Sequence, residues 1–232
     1  MAILIAIIGN KGGTGKTTLS HLLCHGLGLL GYKSACLITD TAREPLNPEG
    51  RRYVIADARS PATLERIVAK LRTLDDWIGV LDGGGNRPEV DKRLYALADL
   101  ALLPFRESAE DIRTVIRDLA HYPRAYAVPS QWPVSNRWQQ QAADKLVAQM
   151  MTPYRDRIVR PVPALSATKL LLLKQIPAHL PTPLNNAARQ FARQMVELLS
   201  LHEETEGDGT ASSQEEEYRI PDEEMPLRYR QR

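Results

Sequence analysis

Three glycines, two lysines and three threonines make up eight consecutive residues, "KGGTGKTT" at positions 11–18 of a 232-residue chain. Glycines at 12, 13 and 15 let a backbone close tightly enough for successive N–H groups to point at one anion. A helix starting behind them adds its positive end. The pattern predicts a phosphate-binding loop lined by Gly12, Gly13, Thr14, Gly15, Lys16, Thr17 and Thr18. In that chemistry Lys16 holds the β- and γ-phosphates of a nucleotide, the Thr17 hydroxyl ligates Mg²⁺, and Thr18 reaches the α-phosphate. The common spelling G-x-x-x-x-G-K-[ST] fails by one residue, because Asn10 stands where the first glycine belongs. The spelling K-G-G-x-G-K-T fits without a fault. One lysine serves the phosphates, so Lys11 has no task within a single loop.

Such a loop must sit between a strand and a helix, and the chain supplies both. Short apolar runs ("AILIAII", "SACLIT", "YVIAD", "WIGVLD", "LALLPF", "RAYAV", "RIVRPV") alternate with segments long enough for helices. Runs apolar at almost every position fit a sheet buried on both sides, so the fold class expected is α/β, a mostly parallel β-sheet flanked by helices on both faces. Helices are predicted over 15–31, 62–74, 88–97, 109–122, 136–151, 168–175 and 184–201. Ser60-Pro61 starts the second, and Ser108 with Asp111 three residues on starts the fourth. "TAREPLNPEGRR" and "VPSQWPVSNR" read as loops at strand ends, where open α/β sheets place ligands.

Composition narrows the class. The formal net charge of +2 hides an asymmetry, because residues 202–232 hold ten acids and four arginines. The remainder carries 26 basic against 18 acidic residues, a formal +8. A domain over 1–201 and an acidic, disordered tail over 202–232 are expected, the first suited to approach a polyanion. No apolar run reaches the roughly 20 residues of a membrane span, and no secretory leader is visible, so a cytoplasmic protein is expected. Cys24 and Cys36 lack neighbours at metal-ligand spacing and read as core residues.

"KGGTGKTT" resembles the deviant Walker A signature of the ParA/MinD family of ATPases, which implies the P-loop NTPase fold. In that family the additional lysine, here Lys11, crosses a dimer interface to the phosphates of the other subunit's nucleotide. Asp40 matches the first acid of the family's D-x-D-P-Q, which lies near the attacking water and metal, but Ala42 replaces the second acid and Arg43-Glu44 replace Pro-Gln. "WIGVLDGGGN" resembles the Walker B segment, implying that Asp82 holds Mg²⁺ through water. "ADLALLPFRESAEDI" resembles a further family strand, through Ala98, Asp99, Leu100, Pro104, Ser108 and Asp111. The likeness covers most of residues 1–200.

Because this chain begins at the loop, it is most similar to the small ParA-type plasmid partition ATPases. The resemblance implies ATP and Mg²⁺ as cofactors, an ATP-dependent homodimer and non-specific DNA binding. It also implies hydrolysis stimulated by a ParB-like or small adaptor protein, and a nucleoid-associated location without membrane binding. Arg137, Arg155, Arg157, Arg160, Lys169, Lys174, Arg189 and Arg193 are candidates for the DNA surface. The loops "VPSQWP" and "RPVPALS" are candidates for the adenine pocket. The alternatives are a MinD-like membrane-associated positioning ATPase, against which the acidic, proline-broken end "RIPDEEMPLRYRQR" argues, and a weakly hydrolysing ATP-binding switch. A related tyrosine kinase would need more C-terminal tyrosines than Tyr218 and Tyr229, and an iron–sulfur reductase would need cysteines at the dimer axis.

Overall fold

The computed structural model describes residues 1–41, 46–85 and 87–207, with side chains described through residue 200. By contacts the chain divides into Met1–Leu199 and Ser200–Arg232. Six strands, β1 (Ile3–Ile7), β2 (Lys33–Ile38), β3 (Val54–Asp57), β4 (Trp77–Asp82), β5 (Leu100–Phe105) and β6 (Ala125–Pro129), pair in the order β3-β2-β4-β1-β5-β6. Every pairing is parallel. The helices are α1 (Lys16–Leu29), α2 (Pro61–Arg72), α3 (Pro88–Leu97), α4 (Ala109–His121), α5 (Arg137–Met150) and α6 (Thr182–Gly207).

Alternation along β1 explains why both faces need cover. Leu4, Ala6 and Ile8 join one buried cluster with Leu64, Leu94, Ile112 and Ala143, from α2, α3, α4 and α5. Ile5 and Ile7 join the other, with Leu22 and Leu27 of α1 and Leu184, Phe191 and Met195 of α6. Successive side chains of a strand point to opposite faces, so a strand apolar at every position is stable only between two helical layers. Close approach of α1 to α6 depends on Gly26, where a Cβ would lie 2.0 Å from the Ala188 carbonyl oxygen.

Strand order fixes where a ligand can enter. The chain leaves β1 through α1 toward β2, on one side, and leaves β4 through α3 toward β5, on the other. The carboxyl ends of β1 and β4 therefore diverge at a topological switch point, the crevice where open α/β sheets bind ligands.

Two expectations need correction. "RIVRPV" is not a seventh strand: the Val159 and Val162 N–H groups donate to Ala127 and Pro129 carbonyls beside β6. Only isolated bridges form, at Ala127–Ile158 and Trp132–Pro163. Pro161 and Pro163 have no N–H to continue a ladder. The helix expected over 168–175 is a 3₁₀ segment, Ser166–Leu172, ended ahead of Pro177.

Candidate functional site

The carboxyl half of the glycine loop opens on the switch-point crevice. Gly13 and Gly15 adopt φ of +78° and +92°, the left-handed region that glycine alone enters without strain. A Cβ at Gly12 or Gly13 would meet nothing within 4 Å, whereas one at Gly15 would come within 3.0 Å of Ser130 Oγ. Side chains of Ser60, Ser108 and Asn136 cap α2, α4 and α5, but Gly15 brings none to α1. The first N–H groups of α1 are thus left for an acceptor from outside the helix. Lys16 is only 6% exposed. Its Nζ donates to the carbonyls of Gly9 (2.9 Å) and Lys11 (2.7 Å), lying across the loop. Burial pushes this ammonium below the usual lysine range, against the opposing pull of Asp91 and Asp82. A buried cation held by peptide carbonyls alone is poised to take an anion.

Residues 13–18 form one wall of a cavity of about 240 Å³, with Asp40, Gly83, Gly85 and Gln131 on the others. Asp82 lies fully buried beneath it and accepts from the Ser20 hydroxyl (3.1 Å), one turn along α1 from Lys16. The Thr39 hydroxyl donates to the Asp82 carbonyl (2.7 Å), tying the ends of β2 and β4 together. Gly85 approaches so closely that its Cβ would lie 3.7 Å from Gly12 Cα. Arg87 donates to the Thr39 carbonyl (3.1 Å), with its guanidinium 4.0 Å from Asp40 Oδ1. Ala42, Arg43 and Glu44, the departures from the resembled motif, lie outside the described residues. This donor set fits a nucleoside polyphosphate: glycine N–H groups, a helix start and one ammonium converge on one space. No cluster of three or more His, Cys, Asp or Glu suited to a metal occurs among the described residues. A cation here would draw on the Thr17 hydroxyl and phosphate oxygens, as Mg²⁺ does beside phosphates.

The amino half of the loop is gripped from behind. Asp91 of α3, 1% exposed, accepts the Gly9 N–H (3.1 Å). Asp118 of α4 accepts both the backbone N–H (3.3 Å) and the side-chain amide (2.6 Å) of Asn10. Lys11 turns away from the cavity: its Nζ lies 2.5 Å from Asp111 Oδ1 and 3.2 Å from Glu110 Oε1, at the start of α4. The Asp111 carboxylate holds the Lys11 ammonium above its ordinary range.

Of the residues expected at the site, 13–18 and Asp40 share the cavity, Asp82 lies under it, and Lys11 faces the other way. Sequence reading placed Gln131 no more finely than the loop "VPSQWP" and missed Arg87, Ser20, Asp91 and Asp118. Gln131 stands out only by its φ of +53°. Asp118 carried a readable signal, a carboxylate in the apolar stripe Ile112, Val115, Leu119.

The basic candidates also separate. The Arg157 guanidinium is spent on the carbonyls of Leu119, Tyr122 and Ala125, an internal clamp that takes it out of the group. Arg160, Arg189 and Arg193 line one surface hollow of about 730 Å³ along α6. Arg137, Arg155, Lys169 and Lys174 are exposed elsewhere. Among the described residues no helix is long and apolar enough to cross a membrane.

Residues 5–177 match the family model for the CobQ/CobB/MinD/ParA nucleotide binding domain. The fold is similar to the MinD cell division protein of Aquifex aeolicus, with TM-score 0.65, 16% identity, and coverage of 84% of this chain and 97% of that one. The septum site-determining protein MinD of Pyrococcus horikoshii, complexed with Mg-ADP, aligns with TM-score 0.61 and 16% identity over 87% and 98% of the two chains. A putative plasmid partition protein of Borrelia burgdorferi bound to AMPPNP aligns with TM-score 0.60 and 13% identity, over 85% and 99%. No curated protein matches by sequence.

Proposed function

This chain belongs to the CobQ/CobB/MinD/ParA nucleotide-binding family, and from that premise we propose that it is an ATP-dependent dimerising switch that binds DNA without sequence preference. The observation that carries the reading is the paired arrangement of Lys16 across the loop and Lys11 outside it. Lys16 and the N–H groups of residues 12–18 bind the phosphates, and the Thr17 hydroxyl takes the divalent cation. Asp40, on the cavity wall, orients the attacking water. Lys11, delivered by a second copy, neutralises charge on the transferred phosphoryl group as hydrolysis proceeds to ADP and phosphate.

DNA contact is assigned to Arg160, Arg189 and Arg193, whose shared hollow suits a phosphate backbone and makes affinity fall steeply with salt. A ParB-like or small adaptor protein stimulates hydrolysis, and the ATP dimer resides on the nucleoid in the cytoplasm. The likeness to MinD makes membrane docking the competing reading.

A gel shift on unrelated DNA with ATP, ADP or no nucleotide, run beside flotation with anionic liposomes, tests both. Binding of DNA with ATP alone is expected. Equal DNA binding in all three states sinks the switch, and ATP-dependent flotation without DNA binding transfers the reading to the membrane.

A further inference from the structure

Lys11 cannot serve a second copy while it serves its own α4. Its Nζ contacts two carboxylates with different anchorage. Asp111 is 6% exposed at its side chain and is fixed independently of Lys11: the Ser108 hydroxyl donates to Oδ1 (2.8 Å) and the Arg106 N–H to Oδ2 (3.1 Å). Glu110 is 80% exposed at its side chain and meets Lys11 as an outer arm. Both sit in the first turn of α4, where the helix dipole already favours negative charge. The Lys11 backbone is fixed as well, between the clamped Asn10 and the bond from Lys16 to the Lys11 carbonyl. Only the Lys11 side chain is left to move.

We propose that Asp111 and Glu110 are positioning residues that park Lys11 in cis, and so set the nucleotide threshold at which two chains pair. The proposal rests on the trans role of Lys11 given above. Pairing must first break the cis contacts, so every contact on α4 that holds Lys11 shifts the equilibrium toward the single chain. Asp111 keeps its two loop donors after Lys11 leaves, which makes it a fixed station to which the lysine returns when the nucleotide is spent.

The test is the ATP concentration at half-maximal pairing, read by sedimentation velocity, for wild type, Glu110→Gln, Asp111→Asn and Lys11→Ala. Asp111→Asn retains acceptor and donor groups for Ser108 and Arg106, and Glu110→Gln is a surface change, so both fold. Glu110→Gln is expected to lower the midpoint roughly two- to fivefold, and Asp111→Asn about tenfold. Affinity of the single chain for ADP should stay at its wild-type value, which a merely structural role in the loop would not allow, while the melting temperature falls by no more than the lost cis contact accounts for, about 3–6 °C for Asp111→Asn. Midpoints unchanged or raised in both carboxylate variants, with Lys11→Ala unable to pair, overturn the parking role and leave the trans reading standing. Wild-type pairing by Lys11→Ala overturns the trans reading itself.

Discussion

The two halves of the glycine loop are built on opposite plans. Residues 9–11 are each held from behind by a different aspartate, Asp91, Asp118 and Asp111, drawn from two helices. Residues 12–18 have open space at Gly12 and Gly13, and their one side-chain cation is turned onto the loop's own carbonyls. One half is anchored and the other is left receptive. Receptivity requires that anchorage: a row of N–H groups aimed at one point repels itself until an anion arrives, and something outside the row must hold its shape. Carboxylates behind the loop do this without entering the cavity.

Breaking the receptive half should remove binding while leaving the fold. Lys16→Ala is expected to weaken nucleotide affinity about 100-fold, since it deletes a charge-assisted contact from a dry site. Its melting temperature should hold or rise, because a buried ammonium costs stability when no anion is present. Titration calorimetry and thermal unfolding on the same sample check both, and a fall in stability would blur the distinction between the halves. Breaking the anchored half should do the reverse. Asp118→Ala orphans two Asn10 donors beside a residue 6% exposed, at a cost of about 3 kcal/mol and a drop of roughly 6–12 °C. Nucleotide affinity of the molecules that remain folded should change far less than in Lys16→Ala.

The same division explains what could be read in advance. The receptive half is local: glycine spacing, a strand before and a helix after are all within twenty residues, and the sequence displays them. Six strands were legible for a related reason, since a parallel strand covered on both faces must be apolar throughout, as β1 and β5 are. "RIVRPV" has the same look, but Pro161 within it and Pro163 just after it act on hydrogen bonds, which hydropathy does not report. The anchored half is non-local. Asp91 lies 82 positions from Gly9, and Asp118 lies 108 from Asn10. No spacing rule connects them, and only the misfit of Asp118 in an apolar stripe hinted at its role. Likewise Asp111 was legible as the cap of α4 but not as the partner of Lys11, because capping is decided within one turn and pairing needs the tertiary fold.

The finest test of the anchored half is its pH dependence through Asp91. Burial raises this carboxyl from the ordinary aspartate range to about 6, outweighing the Gly9 N–H and the nearby Lys16, which act the other way. Its Oδ2 accepts from Gly9, while Oδ1 is buried without a hydrogen-bond partner. A proton therefore fits on Oδ1 without releasing the loop. Because the folded chain binds that proton more tightly than the unfolded one, the stabilisation is full below about pH 4 and is lost as pH rises through about 6. The span amounts to about 3 kcal/mol. Asp91→Asn keeps an acceptor for Gly9 and removes the titration, so the wild-type advantage over this variant should shrink between pH 4 and 7 in urea unfolding. Parallel stability curves would mean that the clamp on Gly9 carries no protonation cost, and that the anchored half is held as cheaply when charged as when neutral.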